Sequence, residues 1–260
     1  MRAASSRIMS AGDNPGFPPR YRDALRLLAS AQKPGYGVPA YTRWINRRAA
    51  RVAAAAAVRW HITPNSVTFM SAATSAVGIL LLFLPHQRTT GPAVALLLAV
   101  GYLLDSADGQ VARVLGTGSA AGEWLDHVVD AVRIPAIHLG VLGALLLLHA
   151  KASPILLLPA MYCLLSTAHF MSQILAEQLV RNAGLRPTPV ERHSAARSVL
   201  MLPTDAGTLC WIFVLWGTPL FIPSYFALFL ANLVAVAASM GRKWRHLASL
   251  RKDPAHGGTY

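Results

Sequence analysis

The chain has 260 residues, of which 54% are hydrophobic and only 13% are charged, and its formal net charge is +13. An ordinary soluble domain has about a quarter of its residues charged, so this composition excludes one. The mean hydropathy of +0.41 indicates a polytopic membrane protein with basic edges. The high charge does not indicate a nucleic-acid partner, because the sequence contains no polar domain that would bind one. We therefore expect an all-α integral membrane protein.

The first 62 residues precede the apolar part of the chain. Residues 1–38 are basic and interrupted by Pro and Gly, which predicts a poorly ordered segment. Residues 39–62 predict an amphipathic helix on the inner membrane surface, with its arginines facing anionic lipid headgroups. These arginines are Arg43, Arg47, Arg48, Arg51 and Arg59. The residues TPNS at 63–66 end this helix and cap the next, with Pro64 in its first turn.

Apolar runs close to the length that crosses a bilayer, about 20 residues, recur from residue 63 to residue 241. We predict six transmembrane helices, with the last two joined by a short turn at Pro219 and Pro223. The helices are 66–85, 91–112, 124–149, 153–178, 205–222 and 223–241. They form one domain, 63–241, which is followed by a basic tail, 242–260.

Basic residues are concentrated on one side of the predicted helices. Residues 1–62, residues 179–203 and the tail hold most of the arginines, whereas the opposite connections hold little more than Arg88 and Lys151. The positive-inside rule then places both termini in the cytoplasm. The inner ends of the second and third helices, which carry the acidic residues described next, also face the cytoplasm. We expect a multi-pass protein of the inner or plasma membrane.

Four aspartates stand in the otherwise apolar second and third predicted helices. Asp105 and Asp108 are three residues apart, and Asp126 and Asp130 are four residues apart, so each pair lies on one face of a helix. Gly109 and Ala112 share the first face, Gly122 shares the second, and Arg133 continues it. A short Gly-containing connection joins the two helices, so all four carboxylates can converge beside a hollow left by small residues.

Clustered carboxylates repel one another and require cations. Hard oxygen ligands suit Mg²⁺ or Mn²⁺, and two such ions can share four carboxylates. Divalent ions held by carboxylates are suited to polarising phosphates, and at a membrane–cytosol boundary they suit a substrate that has a lipid part and a nucleotide part. A remote alternative is an ion or proton transporter, because carboxylates inside membranes also form ion pathways.

The pattern Asp105-x2-Asp108-Gly109-x2-Ala112-Arg113-x8-Gly122-x3-Asp126-x3-Asp130 resembles the signature of the CDP-alcohol phosphotransferase family at every fixed position. The basic helix before residue 63, and the six-helix count, are also similar to the family. The resemblance covers roughly residues 40–240. It implies a membrane enzyme of phospholipid biosynthesis that transfers a phospho-alcohol group from a CDP-alcohol to an acceptor hydroxyl and releases CMP.

The resemblance also implies roles for individual residues. All four aspartates would bind two divalent metal ions, and Asp130 would in addition be the base that deprotonates the acceptor. The nucleotide would be bound by small and basic residues of the motif and by two residues at the head of the first span. These residues are Gly109, Ala112, Arg113, Gly122, Asn65 and Thr68. Relatives in the family indicate a homodimer.

The identity of the two alcohols stays open at this point. Arg133, Arg192 and Arg197 are candidates for binding a phosphorylated acceptor such as inositol phosphate or glycerol phosphate. This favours transfer of a phosphatidyl group from CDP-diacylglycerol. The residues Leu-Asp-His after Gly122 resemble instead the branch that uses CDP-choline or CDP-ethanolamine. Transfer of a small phospho-alcohol from CDP-choline, CDP-ethanolamine or a CDP-polyol is therefore the alternative.

Overall fold

The computed structural model describes residues 21–30, 37–84, 89–148, 153–182 and 195–250. Within these ranges the regular structure is helical throughout, so the all-α prediction is confirmed. The α-helices are α1 Tyr21–Ser30, α2 Arg47–Arg59, α3 Pro64–Leu80, α4 Thr90–Leu115, α5 Ala120–Leu148, α6 Leu157–Asn182, α7 Ala195–Leu200, α8 Ala206–Ile212 and α9 Phe221–Leu250.

Five elements of the described chain are long and apolar enough to cross a membrane. They correspond to five of the six predicted spans, and the last runs eight residues beyond its predicted end. Their bounds are Pro64–Phe83, Thr90–Leu115, Ala120–Leu147, Pro154–Asn182 and Phe221–Ser249. The protein is therefore a multi-pass membrane protein.

The predicted span 205–222 is not a continuous helix. The apolar helix there runs only from Ala206 to Leu215 and ends as a 3₁₀ turn. Ten residues extend about 15 Å at 1.5 Å per residue, half the thickness of a hydrocarbon core of about 30 Å. The helix stops before Gly217, whose φ of 81° is incompatible with helical continuation. Proline is tolerated in a first helical turn, so Pro223 does not delay the start of α9 at Phe221.

The end of this short helix packs tightly against the start of α4. A Cβ added to Gly91 would lie 2.9 Å from the carbonyl oxygens of Phe213, Val214 and Trp216. These carbonyl oxygens belong to the backbone, so they cannot move aside to relieve the contact as the end of a flexible side chain could. Only glycine therefore allows the broken element to approach α4 this closely.

We expect Gly91→Ala to lower the free energy of unfolding by about 1–3 kcal/mol, which is the usual cost of overpacking. Thermal unfolding of the detergent-solubilised protein measures the effect. Gly241→Ala is the matched control, because a Cβ there meets nothing within 4 Å. Equal unfolding midpoints for the two variants would contradict the close approach seen at Gly91.

The segment before the first span is helical and packs against the bundle. A π-helical turn, Thr42–Asn46, leads directly into α2. The small side chains of α2 are buried between α1 and the α3–α4 pair, while Arg48 and Arg59 are exposed. The position of this helix on the membrane remains a prediction. Of the predicted segment 1–38, the structure describes α1 and residues 37 and 38, and the rest lies outside the described residues, as does the tail beyond residue 250.

The π-helical turn is hydrogen-bonded to α4 on both sides of Asp105. Tyr102 bonds through its hydroxyl to Thr42 Oγ1 at 2.7 Å, and Asn46 donates to Ser106 Oγ at 2.6 Å. Thr42 in turn donates from its amide and its hydroxyl to the carboxylate of Asp205, which caps α8. The helix that carries the first two aspartates is thus held by the π-helical turn, which is itself bonded to the cap of α8.

The junction into the first span is as predicted. Thr63 has extended backbone angles and its hydroxyl accepts a hydrogen bond from the amide of Ser66 at 3.2 Å. Pro64 occupies the first turn, where its missing N–H is not needed. This cap determines where α3 begins, and so brings Asn65 and Thr68 to the level of the acidic residues of α4.

Candidate active site

Three of the predicted aspartates converge between α4 and α5. Each of Asp105, Asp108 and Asp126 offers a carboxylate oxygen, and these oxygens all lie within 4.8 Å of one another. The first two stand one helical turn apart on α4, and the third is carried by α5, which returns alongside it. Carboxylates held this close repel one another unless a cation lies between them. The donor set is that of a hard divalent ion.

Asp108 is the most firmly oriented member of this acidic cluster. Its side chain is buried, and Thr68 Oγ1 donates a hydrogen bond to its Oδ2 at 2.5 Å. The amide of Gly109 donates to its Oδ1. Both oxygens are therefore directed by groups from α3 and α4. Thr68, for which the family resemblance implies a nucleotide contact, also positions this carboxylate.

Asp130 lies beside the cluster and is paired with Arg133. Arg133 Nη2 donates to Asp105 Oδ1 at 2.7 Å and also contacts Asp130 Oδ1. Its Nη1 donates to Ser71 Oγ at 2.8 Å. Only 11% of the Arg133 side chain is exposed. One buried guanidinium thus joins α3, α4 and α5 at the site, and it faces two of the four carboxylates.

We expect Arg133→Gln to lower the thermal unfolding midpoint strongly in the absence of metal. Removing one partner of a buried ion pair leaves its carboxylates uncompensated, at a cost of about 3–5 kcal/mol. Added Mg²⁺ should recover part of the loss, because a divalent ion offsets the same charges. The control is Arg181→Gln, since Arg181 forms exposed ion pairs with Glu123 and Glu177, which contribute little. A loss no larger than the control's would count against the buried pairing.

A glycine-lined cavity of about 550 Å³ opens on one side of the acidic cluster, between the starts of α3 and α5 and the end of α4. Asp108 and Asp126 form its inner wall. All six predicted nucleotide contacts also line it: Asn65, Thr68, Gly109, Ala112, Arg113 and Gly122. The glycines keep it open. A Cβ on Gly109 would lie 3.3 Å from Arg113 Nη1, and one on Gly122 would lie 3.5 Å from the amide oxygen of Asn65.

An interior cavity of about 260 Å³ lies on the other side of the acidic cluster, among α4, α5, α6, α8 and α9. Asp105, Asp130 and Arg133 belong to its wall, whereas Asp108 and Asp126 do not. Deeper in the same wall His138 is fully buried. Its Nδ1 is 2.5 Å from Tyr225 Oη, and its Nε2 is 2.8 Å from Ser166 Oγ.

The His138 network was missed from the sequence, which marks His138 only as an isolated polar residue in an apolar helix. Its partners are 87 and 28 residues away. Spacing within one helix carries no signal for such a contact. The same holds for Asp205 and Thr42, which are 163 residues apart. A buried polar residue requires a partner, but the sequence alone does not identify it.

The three arginines predicted to bind an acceptor are separated in the fold. Arg133 is at the site. Arg197 is exposed on α7 and does not belong to the wall of either cavity. Arg192 lies outside the described residues. A role for these residues toward an acceptor remains a prediction.

The chain is similar to known proteins over most of its length. The sequence model of the family described as CDP-alcohol phosphatidyltransferase matches residues 61–244. A CDP-diacylglycerol–serine O-phosphatidyltransferase of Mycobacterium leprae is 40% identical over 76 residues, which are 29% of this chain and 24% of the relative. The chain therefore spans about a quarter of that relative's length.

Among solved structures, the phosphatidylinositol phosphate synthase of Mycobacterium tuberculosis with CDP-DAG bound superposes with a TM-score of 0.52. The sequence identity is 24%, and the match covers 83% of this chain and 98% of the other. At this identity the likeness is one of fold.

Proposed function

This chain belongs to the CDP-alcohol phosphatidyltransferase family, and from that membership we propose that it transfers a phosphatidyl group from CDP-diacylglycerol to the hydroxyl of an acceptor alcohol, with release of CMP. The observation that carries the proposal is the cluster of three carboxylates, two of which, Asp108 and Asp126, stand in the wall of the glycine-lined cavity. The name of the curated relative supports CDP-diacylglycerol as the donor.

The acidic cluster fits a divalent cation. Its oxygens are within 4.8 Å of one another, and among the described residues no basic side chain is bonded to the buried Asp108. Asp105, Asp108 and Asp126 would hold Mg²⁺ or Mn²⁺, and Asp130 would join them if two ions are bound. Bound divalent ions would neutralise the pyrophosphate charge as CMP departs.

The glycine-lined cavity takes the cytidine diphosphate part of the donor. Its floor of glycine and alanine allows a phosphate chain to approach the backbone of α4 and α5, and Arg113 supplies a positive charge at its edge. Arginine suits phosphate because its planar guanidinium donates two parallel hydrogen bonds. The diacylglycerol part would extend from this cavity toward the membrane.

Asp130 acts as the general base. It takes the proton of the acceptor hydroxyl, and the freed oxygen forms a bond to the β-phosphorus of the donor. The bond from that phosphorus to the oxygen shared with the α-phosphate breaks, and CMP leaves with the electron pair. A base must lie within hydrogen-bond reach of its proton. Asp130 is one helical turn, about 6 Å at 1.5 Å per residue, from Asp126 along α5.

Sidedness and assembly are also proposals. The distribution of arginines favours cytoplasmic termini and a cytoplasmic active site, and the family favours a homodimer. Single cysteines introduced at residues 86–90 should react with a membrane-impermeant maleimide only from outside the cell. Reaction from the cytosol would reverse the orientation.

The activity is tested with purified protein in mixed micelles, Mg²⁺ or Mn²⁺, CDP-diacylglycerol and a panel of alcohols, with CMP release as the readout. We expect release that depends on donor, acceptor and metal, and that stops when EDTA is added. Release from CDP-choline but not from CDP-diacylglycerol would replace the proposed donor and keep the reaction. Full activity in EDTA would remove the role of the metal.

A further inference from the structure

The acidic cluster is arranged for a single ion. Two oxygens bound to one Mg²⁺ lie at most about 4.2 Å apart, which is twice the bond length of about 2.1 Å. The carboxylate oxygens of Asp105, Asp108 and Asp126 lie within 4.8 Å of one another, so small side-chain shifts bring all three to one ion. Asp130 does not belong to this group. A second ion would therefore have to be bound with the help of Asp130, the remaining aspartate of the motif.

The side chain of Arg133 stands between Asp130 and the cluster. Long side chains of a helix point back toward its N-terminus, so an arginine three residues after Asp130 reaches that carboxylate. A single atom, Nη2, donates to Asp105 Oδ1 at 2.7 Å and also contacts Asp130 Oδ1. A second ion bound by Asp130 would have to lie beside this guanidinium or displace it.

The guanidinium is also held in place from α3. Its Nη1 donates to Ser71 Oγ at 2.8 Å, and Ser71 Oγ in turn donates to the carbonyl oxygen of Gly101 at 2.8 Å. Ser71 is fully buried, and only 11% of the Arg133 side chain is exposed. Arginine keeps its charge, so displacement would leave a buried cation without its carboxylates and beside a divalent ion, which is strongly unfavourable. We therefore expect Arg133 to keep its place when the cluster binds an ion.

We infer that the guanidinium of Arg133 takes the place of a second ion, so that each chain holds one divalent ion, at the acidic cluster. The inference rests on the proposed function and departs from the two ions that the family resemblance implies. Asp105 serves both cations, because a carboxylate accepts through two oxygens. Asp130 is then a base that Arg133 orients through Oδ1, without a metal ion. Arg133 is a positioning residue, which acts through these two carboxylates.

The number of bound ions tests the inference without an activity assay. Mn²⁺ is titrated into the purified protein, and electron paramagnetic resonance distinguishes the free ion from the bound ion. We expect one tightly bound Mn²⁺ per chain, both without nucleotide and in saturating CMP. Two tightly bound ions in either condition overturn the inference and leave the proposed reaction in place. Absence of any bound ion overturns the inference together with the metal-dependent reaction.

Variants of Arg133 test the cause of the single ion. Arg133→Gln removes the charge, so a second Mn²⁺ should bind at Asp130, close enough to the first for spin coupling between the two. Arg133→Lys restores a positive charge and should return the count to one. The matched control is Arg181→Gln, which removes an arginine from exposed ion pairs and should also bind one ion. A folded Arg133→Gln protein that binds one ion overturns the inference.

Asp130→Asn provides the same test if Arg133→Gln does not fold. We expect its Mn²⁺ affinity to stay within a few-fold of wild type, because the inference pairs Asp130 with Arg133 and not with the ion. Asp126→Asn should lower Mn²⁺ affinity at least tenfold, because Asp126 is a member of the acidic cluster. A loss of affinity in Asp130→Asn as large as that in Asp126→Asn overturns the inference.

Discussion

Asp108→Asn is expected to abolish CMP release and to weaken Mn²⁺ binding at least tenfold. The side chain is buried within the acidic cluster and both of its oxygens are oriented by Thr68 and Gly109, so its charge and position cannot be supplied by another residue. An amide keeps the shape of the carboxylate but offers one neutral oxygen to a hard cation, which prefers charged oxygen ligands. Asp105→Asn and Asp126→Asn should act in the same direction.

Mn²⁺ binding is followed by electron paramagnetic resonance on the same preparations that are assayed for CMP release. Glu177→Gln is the matched control, since it removes one negative charge from an exposed position on α6. The control should bind Mn²⁺ and turn over as the wild type does. Retention of wild-type Mn²⁺ affinity by Asp108→Asn would remove this residue from the metal site.

Asp130→Asn is expected to lower turnover at least a hundredfold while CMP and donor affinity stay within a few-fold of wild type. A hundredfold change corresponds to about 2.7 kcal/mol in the activation barrier. The expectation follows from position: Asp130 belongs to the wall of the interior cavity and not to that of the glycine-lined cavity. Loss of the base should therefore affect the chemical step and leave nucleotide binding intact.

The contrast between the two variants is the informative result. Calorimetry with CMP in Mg²⁺ should show a large loss for Asp108→Asn and a small one for Asp130→Asn. Turnover of Asp130→Asn within a few-fold of wild type would exclude it as the base. An equal loss of nucleotide affinity in both variants would mean that Asp130 serves chiefly as a metal ligand.

Local sequence signals were sufficient for most of the helices. Long apolar runs predicted five spans because a membrane helix must satisfy its backbone internally and be apolar along its length. The start of α3 was predicted from Thr63, which caps the helix, and from Pro64 in its first turn, because both residues act within a single helical turn. The run 205–222 is equally apolar but forms a short, broken element. Its packing against Gly91 and the break at Gly217 depend on neighbours that a hydropathy window does not include.

The acidic site likewise has features that local sequence predicted and features that depend on tertiary contacts. The spacing of Asp105, Asp108 and Asp126 predicted their convergence, because residues three or four apart share a helix face and a short connection forces two helices to pair. The burial of Arg133 between two carboxylates and Ser71 was not predicted, although its position on the Asp130 face was. These contacts of Arg133 require Ser71 of α3, Asp105 of α4 and Asp130 of α5 to lie at the same depth in the helix bundle.

The sequence by itself determined the membrane class and the helical fold, since both depend on composition or on periodicity within single helices. Its resemblance to the family implied six of the residues that line the glycine-lined cavity. Only the tertiary structure decided that Asp130 and Arg133 face a second cavity. The same is true of the contribution of α6, α8 and α9 to the wall of that cavity, and of the pairing of His138 with Ser166 and Tyr225. These features join residues far apart in the chain, and their contacts arise from how complete helices pack, which no local periodicity encodes.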